Sequence, residues 1–297
     1  MDEVLPQTAV VKSSAQSRWI DLLKVILTVG IVCRHATWAD IAPDLSAFQI
    51  VTQIIVKITS ICVPLFFVLS GYLFFLNAPQ KPEAGYFLGK LKKRIYSLLI
   101  PYLIANVIAF ACYWAAKRYF PSLVSGFFGD NLKNLIFVFW TGPVNLSLWF
   151  IRELIICCLL SPLVWLLVRY TRIFGVIALG ALWAFHIGPM PIFCFTLGAW
   201  PAIQHLRIDK AANWIERHPV GIDPSWRAWC FFIYLYHYLL LIGVKKGLVA
   251  WLHPTGSLGF LACYLASVLI VLGFLTLLYR LMRRYLPKIT SILVGGK

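Results

Sequence analysis

An all-α, polytopic membrane bundle is the fold class that this sequence predicts, and three observations predict it. The chain of 297 residues is 61% hydrophobic and only 13% charged. Its apolar residues come in runs close to the roughly 20 residues that a helix needs to cross a bilayer. Its basic residues collect in the short segments between those runs. No soluble domain of this size hides that much apolar surface. The net charge of +16 would suit a nucleic-acid partner. Its placement beside the runs assigns it instead to membrane orientation and to anionic headgroups.

Residues 1–18 are polar and contain Asp2 and Glu3. They lack the basic-then-apolar start and the small-residue cleavage site of a signal peptide. They are read as a cytoplasmic segment, with Trp19 opening a retained span. Full-length spans are expected at 19–38, 48–76, 95–116, 146–168, 226–244 and 257–279. The runs 173–187 and 189–204, parted by Gly188 and Pro189, are two short spans or a helical hairpin. The run 131–141 is too short to assign by length, and the eight-span reading lays it at the outer interface.

Orientation follows from the basic segments. These are 77–94, 169–172, 205–217 and 280–288, whereas 39–47 holds Asp40 and Asp44 and no Lys or Arg. The positive-inside rule puts 1–18, 77–94 and the C-terminus in the cytoplasm. Eight spans satisfy this; nine result if 131–141 crosses. The membrane domain is then 19–284, followed by a cytoplasmic tail, 285–297. Lys117, Arg118, Lys245 and Lys246 face outward on this assignment, against the rule. No internal repeat supports a transporter built from inverted halves. The eight cysteines all lie in apolar runs, without CxxC or Cys/His ligand spacing. Neither a disulfide framework nor a metal site is indicated, and they act as small hydrophobes.

The first span, "WIDLLKVILTVGIVCRHATW", carries Asp21, Lys24, Arg34 and His35. Ionisable groups inside a bilayer are costly and mark function or pairing. Lys24 and His35 are 11 residues apart, close to three whole turns, so they share a face about 16 Å apart along the axis. Asp21 and Thr28 extend the same polar stripe. Arg34 points elsewhere and reads as an interfacial, snorkelling charge. Further on, Arg152 and Glu153 lie about two turns into a span. Neighbouring positions on a helix do not face one another, so each is expected to pair with a different helix. His237 lies mid-span.

These residues fall in a pattern. Asp-x-x-(Arg/Lys)-x10-His in a first span resembles the acyltransferase-3 family of integral membrane O-acyltransferases, with Asp21, Lys24 and His35 in register. Most members have Arg where Lys24 stands. "PLFFVLSGYLFF" (64–75), "KKRIYSLLIPYL" (92–103), "SLWFIREL" (147–154) and "FFIYLYHYLL" (231–240) resemble further family segments in the same order, and "SILVGGK" (291–297) is like the tail of some members. Members usually have about ten spans, and the polar stretch 205–225 sits where another would be expected.

The resemblance implies an acyl-CoA-dependent O-acyltransferase, with acetyl-CoA as the expected donor. The acceptor would be a hydroxyl on a cell-surface glycan or its lipid-linked precursor, and the site the inner membrane. No cofactor is expected to be bound permanently. Lys24, Ser70, Gly71, Lys92, Lys93 and Arg94 would hold the donor near the cytoplasm, the basic cluster on its phosphates. His35, Glu153, His237 and Arg152 would lie from mid-membrane outward, with His35 the general base and Glu153 or Asp21 orienting or balancing charge. Two other classes fit the buried charges: a transporter or flippase for lipid-linked sugars, and a non-catalytic membrane subunit.

Overall fold

A computed structural model describes residues 7–37, 46–119, 145–206, 217, 218, 221, 223 and 225–296, the side chains of 7–17 and 46 excepted. The run 131–141, and most of the 39–47 and 205–225 stretches, lie outside the described residues. Every regular element among the described residues is helical.

Helix α1 runs over Gln7–His35. Helices α2 (Ser46–Thr59) and α3 (Cys62–Phe75) are two halves of one rod, interrupted at Ser60 and Ile61. The interruption leaves carbonyls of the last turn of α2 without helical donors. Arg34 Nη1 donates to one of them, Val56 O, at 2.9 Å. Arg34 is therefore a brace between α1 and α2 rather than the expected snorkelling charge.

Helix α4 (Ala84–Arg94), a π-helical turn (Ile95–Leu99) and α5 (Ile100–Tyr119) also run end to end. Pro101 accounts for the wide turn. It has no N–H for the carbonyl four residues back, and a π turn accommodates that loss. The freed backbone at Ser97 is covered by the C-terminal segment: a Cβ on Gly295 would lie 2.5 Å from Ser97 O. Helix α12 (Pro287–Leu293) brings it there, with Leu293 and Val294 buried. The expected tail is thus folded onto the bundle.

A short 3-10 turn (Leu146–Leu148) leads into α6 (Trp149–Leu159), and α7 (Ser161–Thr171) follows at a bend of 62°. Helices α8 (Ile173–Ala184) and α9 (Met190–Ile203) are short and apolar. Helix α10 (Trp226–Leu252) ends where His253 and Gly256 take positive φ. Helix α11 (Gly256–Tyr285) then returns along it, so that Trp229 Nε1 reaches Thr276 Oγ1 at 2.9 Å near the far end of the hairpin.

Four of these rods are long and apolar enough to cross a membrane: 47–75, 84–119, 226–252 and 256–285. The bent α6–α7 pair makes a fifth if it is one span. Helix α1 matches them in length, but Asp21, Lys24 and Arg34 interrupt its apolar stretch. Helices α8 and α9, at 12 and 14 residues, fall short. The described residues therefore carry a multi-pass membrane bundle with four full-length spans, or five with the bent pair, against six runs of full length in the sequence. Its outer surface is that of a lipid-facing protein: Ile58, Leu258 and Leu269 are 68%, 79% and 71% exposed.

Two packed regions position the site. In one, α3 crosses α9 at very close range. A Cβ on Gly71 would lie 2.0 Å from Phe195 O, and one on Gly198 would lie 1.8 Å from Val68 O. Phe67, Phe74, Phe75 and Phe195 fill the space around this crossing. In the other, α1, α10 and α11 pack around Val32, Phe232, Ile233 and Val271. Asp21, midway along α1, meets Arg227, and Lys245 Nζ donates to Thr37 O just beyond the C-terminal end of α1. These two contacts show that α1 and α10 run parallel.

Candidate active site

A cavity of about 250 Å³ lies between α1, α3, α6 and α10. Lys24, Arg94 and Arg227 supply its charge, and Ser70 and Thr28 also line it. Most of the remaining wall is apolar, including Phe66, Phe150, Ile151 and Leu154. One buried acid organises the cations. Asp21, 3% exposed, accepts from Arg227 Nε at 2.7 Å and from Lys24 Nζ at 3.3 Å, each with its own carboxylate oxygen. Three cations against one carboxylate leave this end of the cavity positive, which suits an anionic ligand.

At its other end the cavity reaches Tyr234. The Tyr234 hydroxyl donates to the Ser147 carbonyl, and its ring packs against Phe150 at 5.6 Å. One helical turn further along α10, about 4.5 Å by helix rise, stands His237. It is fully buried. Its Nδ1 is 2.9 Å from Tyr234 O and 3.1 Å from Ile233 O. Carbonyls only accept, so Nδ1 carries the proton, and in the neutral ring Nε2 then presents the lone pair. That Nε2 has no hydrogen-bond partner among the described residues. The His35 ring stands beside it, with centroids 5.4 Å apart. Two imidazoles sharing an N–H···N bond have centroids about 5.2 Å apart, so the spacing of the two rings is compatible with that bond. Tyr238 closes the other side of His35, edge-on at 5.3 Å.

The sequence-expected residues divide by position. Lys24, Ser70 and Arg94 share the cavity wall, with Asp21 holding Lys24. His35 and His237 meet beyond Tyr234. Gly71 is not on the wall: it faces the α9 backbone, where only a hydrogen fits. Lys92 and Lys93 are exposed on α4 and do not line the cavity. Arg152 and Glu153 do not line it either. They pair with each other, Nη2–Oε1 at 2.8 Å and Nε–Oε1 at 3.1 Å. Long side chains that lean along the helix can meet where their Cβ positions do not. Each is partly exposed, 30% and 21%.

Two residues escaped the sequence reading. Arg227 opens α10, where a positive charge reads as an orientation signal. No local signal set it apart, because its partner Asp21 lies 206 residues away in the chain. Lys245 was counted as an outward loop charge, yet it is 7% exposed and bound to the chain leaving α1. A cation there also matches the negative end of the helix dipole, next to His35.

Comparison with known proteins identifies the family. Residues 17–208 match the acyltransferase-3 family, described as an acyltransferase domain. Over 212 residues the chain is 30% identical to the succinoglycan biosynthesis protein ExoH of Rhizobium meliloti (strain 1021), covering 64% of this chain. The chain spans 55% of that relative's length. No solved structure matches. The family match takes in α1 with Asp21, Lys24 and His35, α3 with Ser70, and the Arg94 helix. This multi-pass membrane protein belongs to the acyltransferase-3 family.

Proposed function

We propose that the chain is an inner-membrane O-acyltransferase that moves an acyl group, acetyl in the first instance, from acyl-CoA to a hydroxyl of a cell-surface glycan or its lipid-linked precursor. One observation carries this reading. A single cavity joins a cationic end, Lys24, Arg94 and Arg227, to Tyr234, one turn from the imidazole pair. Coenzyme A has an anionic head and a long thin arm. The cations would hold phosphate, with guanidinium groups gripping it at two points. The narrow apolar wall would guide the arm toward the histidines. The acceptor class rests on the family and on the relative's name, which concerns the biosynthesis of a glycan.

The chemistry needs a base, and imidazole titrates near neutral pH. His35 takes the proton of the acceptor hydroxyl as its oxygen attacks the thioester carbonyl. The C–O bond forms, the C–S bond breaks, and the departing thiolate takes the proton from His35. His237 orients the base. Its Nε2 lone pair accepts N–H from His35, which leaves the second His35 nitrogen as the proton acceptor. This also satisfies a buried polar atom that would otherwise cost about 1–3 kcal/mol.

The test is acyl transfer from labelled acyl-CoA in membranes, with the labelled product identified, for wild type and His35→Gln. Gln keeps hydrogen-bonding capacity but takes no proton at neutral pH. A general base contributes about 10²–10⁴-fold, so turnover should fall by that order. A well-inserted His35→Gln protein working at the wild-type rate would remove His35 as the base. Absence of labelled product from wild type would favour the transporter reading.

A further inference from the structure

A second basic cavity, of about 500 Å³, opens beside the first at the same end of the bundle. Its wall is Asp223, Ser225, Trp226 and Trp229 from the start of α10, with Thr276, Tyr279, Arg280, Arg283 and Arg284 from the end of α11. Here three guanidinium groups at i, i+3 and i+4 spacing share one concavity with two indoles. Asp223 is the one acid among the described residues of that wall. The Ser225 backbone N–H, 2.7 Å away, holds its carboxyl below the usual range, so it is ionised and the wall keeps a net positive charge. Arg283 hydrogen-bonds Tyr279. A guanidinium has five donors, so that bond leaves Arg283 able to bind an anion.

The indoles mark the ligand further. Trp229 is fixed by its bond to Thr276. Trp226 meets it edge-on at 5.0 Å and is 37% exposed. A fixed indole supporting a partly open one is a stacking surface for a planar ring, as aromatic side chains provide for nucleobases. A phospholipid headgroup has no such ring. Position completes the argument. Arg227 lies between these residues in sequence and faces the first cavity with Cys230 and Tyr234. The first turn of α10 therefore has one cavity on each flank.

We propose that this second cavity holds the 3′-phosphorylated adenosine end of coenzyme A, its arginines on the phosphate and Trp226 on the adenine, which leaves Lys24, Arg94 and Arg227 to the diphosphate. The assignment rests on the acyl-CoA reading above.

The experiment measures binding of coenzyme A and of 3′-dephospho-coenzyme A to the full chain in phosphatidylcholine nanodiscs. Wild type should prefer coenzyme A by about 10–100-fold, the worth of charge-assisted hydrogen bonds to one phosphate. Arg280→Gln/Arg283→Gln/Arg284→Gln should bring that ratio close to one while leaving dephospho-coenzyme A affinity unchanged. Trp226→Ala should weaken both ligands equally. The three arginines are exposed, and single Arg280→Gln and Arg284→Gln variants, each expected to lower the ratio in part, serve if the triple variant inserts poorly. A ratio unchanged in the inserted variants overturns the assignment. So does a variant that keeps the ratio but, in nanodiscs of mixed phosphatidylcholine and phosphatidylglycerol, loses its retention of phosphatidylglycerol, which would make this a lipid-headgroup site. Wild type that binds neither nucleotide refutes the acyl-CoA reading itself. Wild type that binds both with no arginine dependence refutes the second cavity alone.

Discussion

Gly71→Ala separates packing from donor binding at a position that the sequence assigns to the donor. The added Cβ would lie 2.0 Å from the Phe195 carbonyl oxygen and 3.2 Å from Ala199 N. Relief to an ordinary contact requires α3 and α9 to part by about 1 Å, because the obstacle is helix backbone rather than a movable side chain. Overpacking costs typically 1–3 kcal/mol, and a rigid obstacle puts this substitution near the top, at about 3 kcal/mol. Small residues matter more at such crossings in lipid, where close packing replaces the hydrophobic drive between helices. Thermal unfolding of the detergent-purified protein should show a lowered transition for Gly71→Ala and again for Gly198→Ala, whose Cβ meets Val68 O at 1.8 Å. Gly89→Ala is the control. A Cβ there meets nothing within 4 Å, and helix propensity favours Ala by about 1 kcal/mol. Donor KM of the surviving folded Gly71→Ala protein should match wild type. A wild-type transition with a raised KM would refute the packing argument and return Gly71 to the donor site.

Three further outcomes are expected. Arg94→Ala should raise donor KM more than Lys92→Ala or Lys93→Ala in the labelled transfer assay, because Arg94 alone of the three lines the cavity; equal effects would make the cluster a diffuse charge. Lys24→Arg should retain transfer and Lys24→Ala should lose at least about tenfold, the worth of one charge-assisted hydrogen bond; a silent Ala substitution removes Lys24 from the site. A Cys introduced at Lys81, which is exposed, should be labelled from the cytoplasmic side by an impermeant maleimide, and labelling from outside only would invert the orientation.

Helical order within one segment was legible in the sequence. Lys24 and His35 share a face because 11 residues on one helix fix their relation, whatever packs around them. The apolar runs located the rods for the same reason: backbone polar groups in lipid must be satisfied within the segment, so a long apolar run becomes a helix. Tertiary structure decided what those rods present to one another. Asp21 finds Arg227 across 206 residues of chain, and Lys245 finds the end of α1 across 208. Neither pairing has a local signal, because both depend on how far α10 is rotated and shifted against α1. Gly71 shows the same limit: a glycine in a membrane helix can face a ligand or another helix, and only the position of Phe195 distinguishes them. Periodicity along one helix is local geometry, whereas the register between helices is set by the steric fit of many side chains at once.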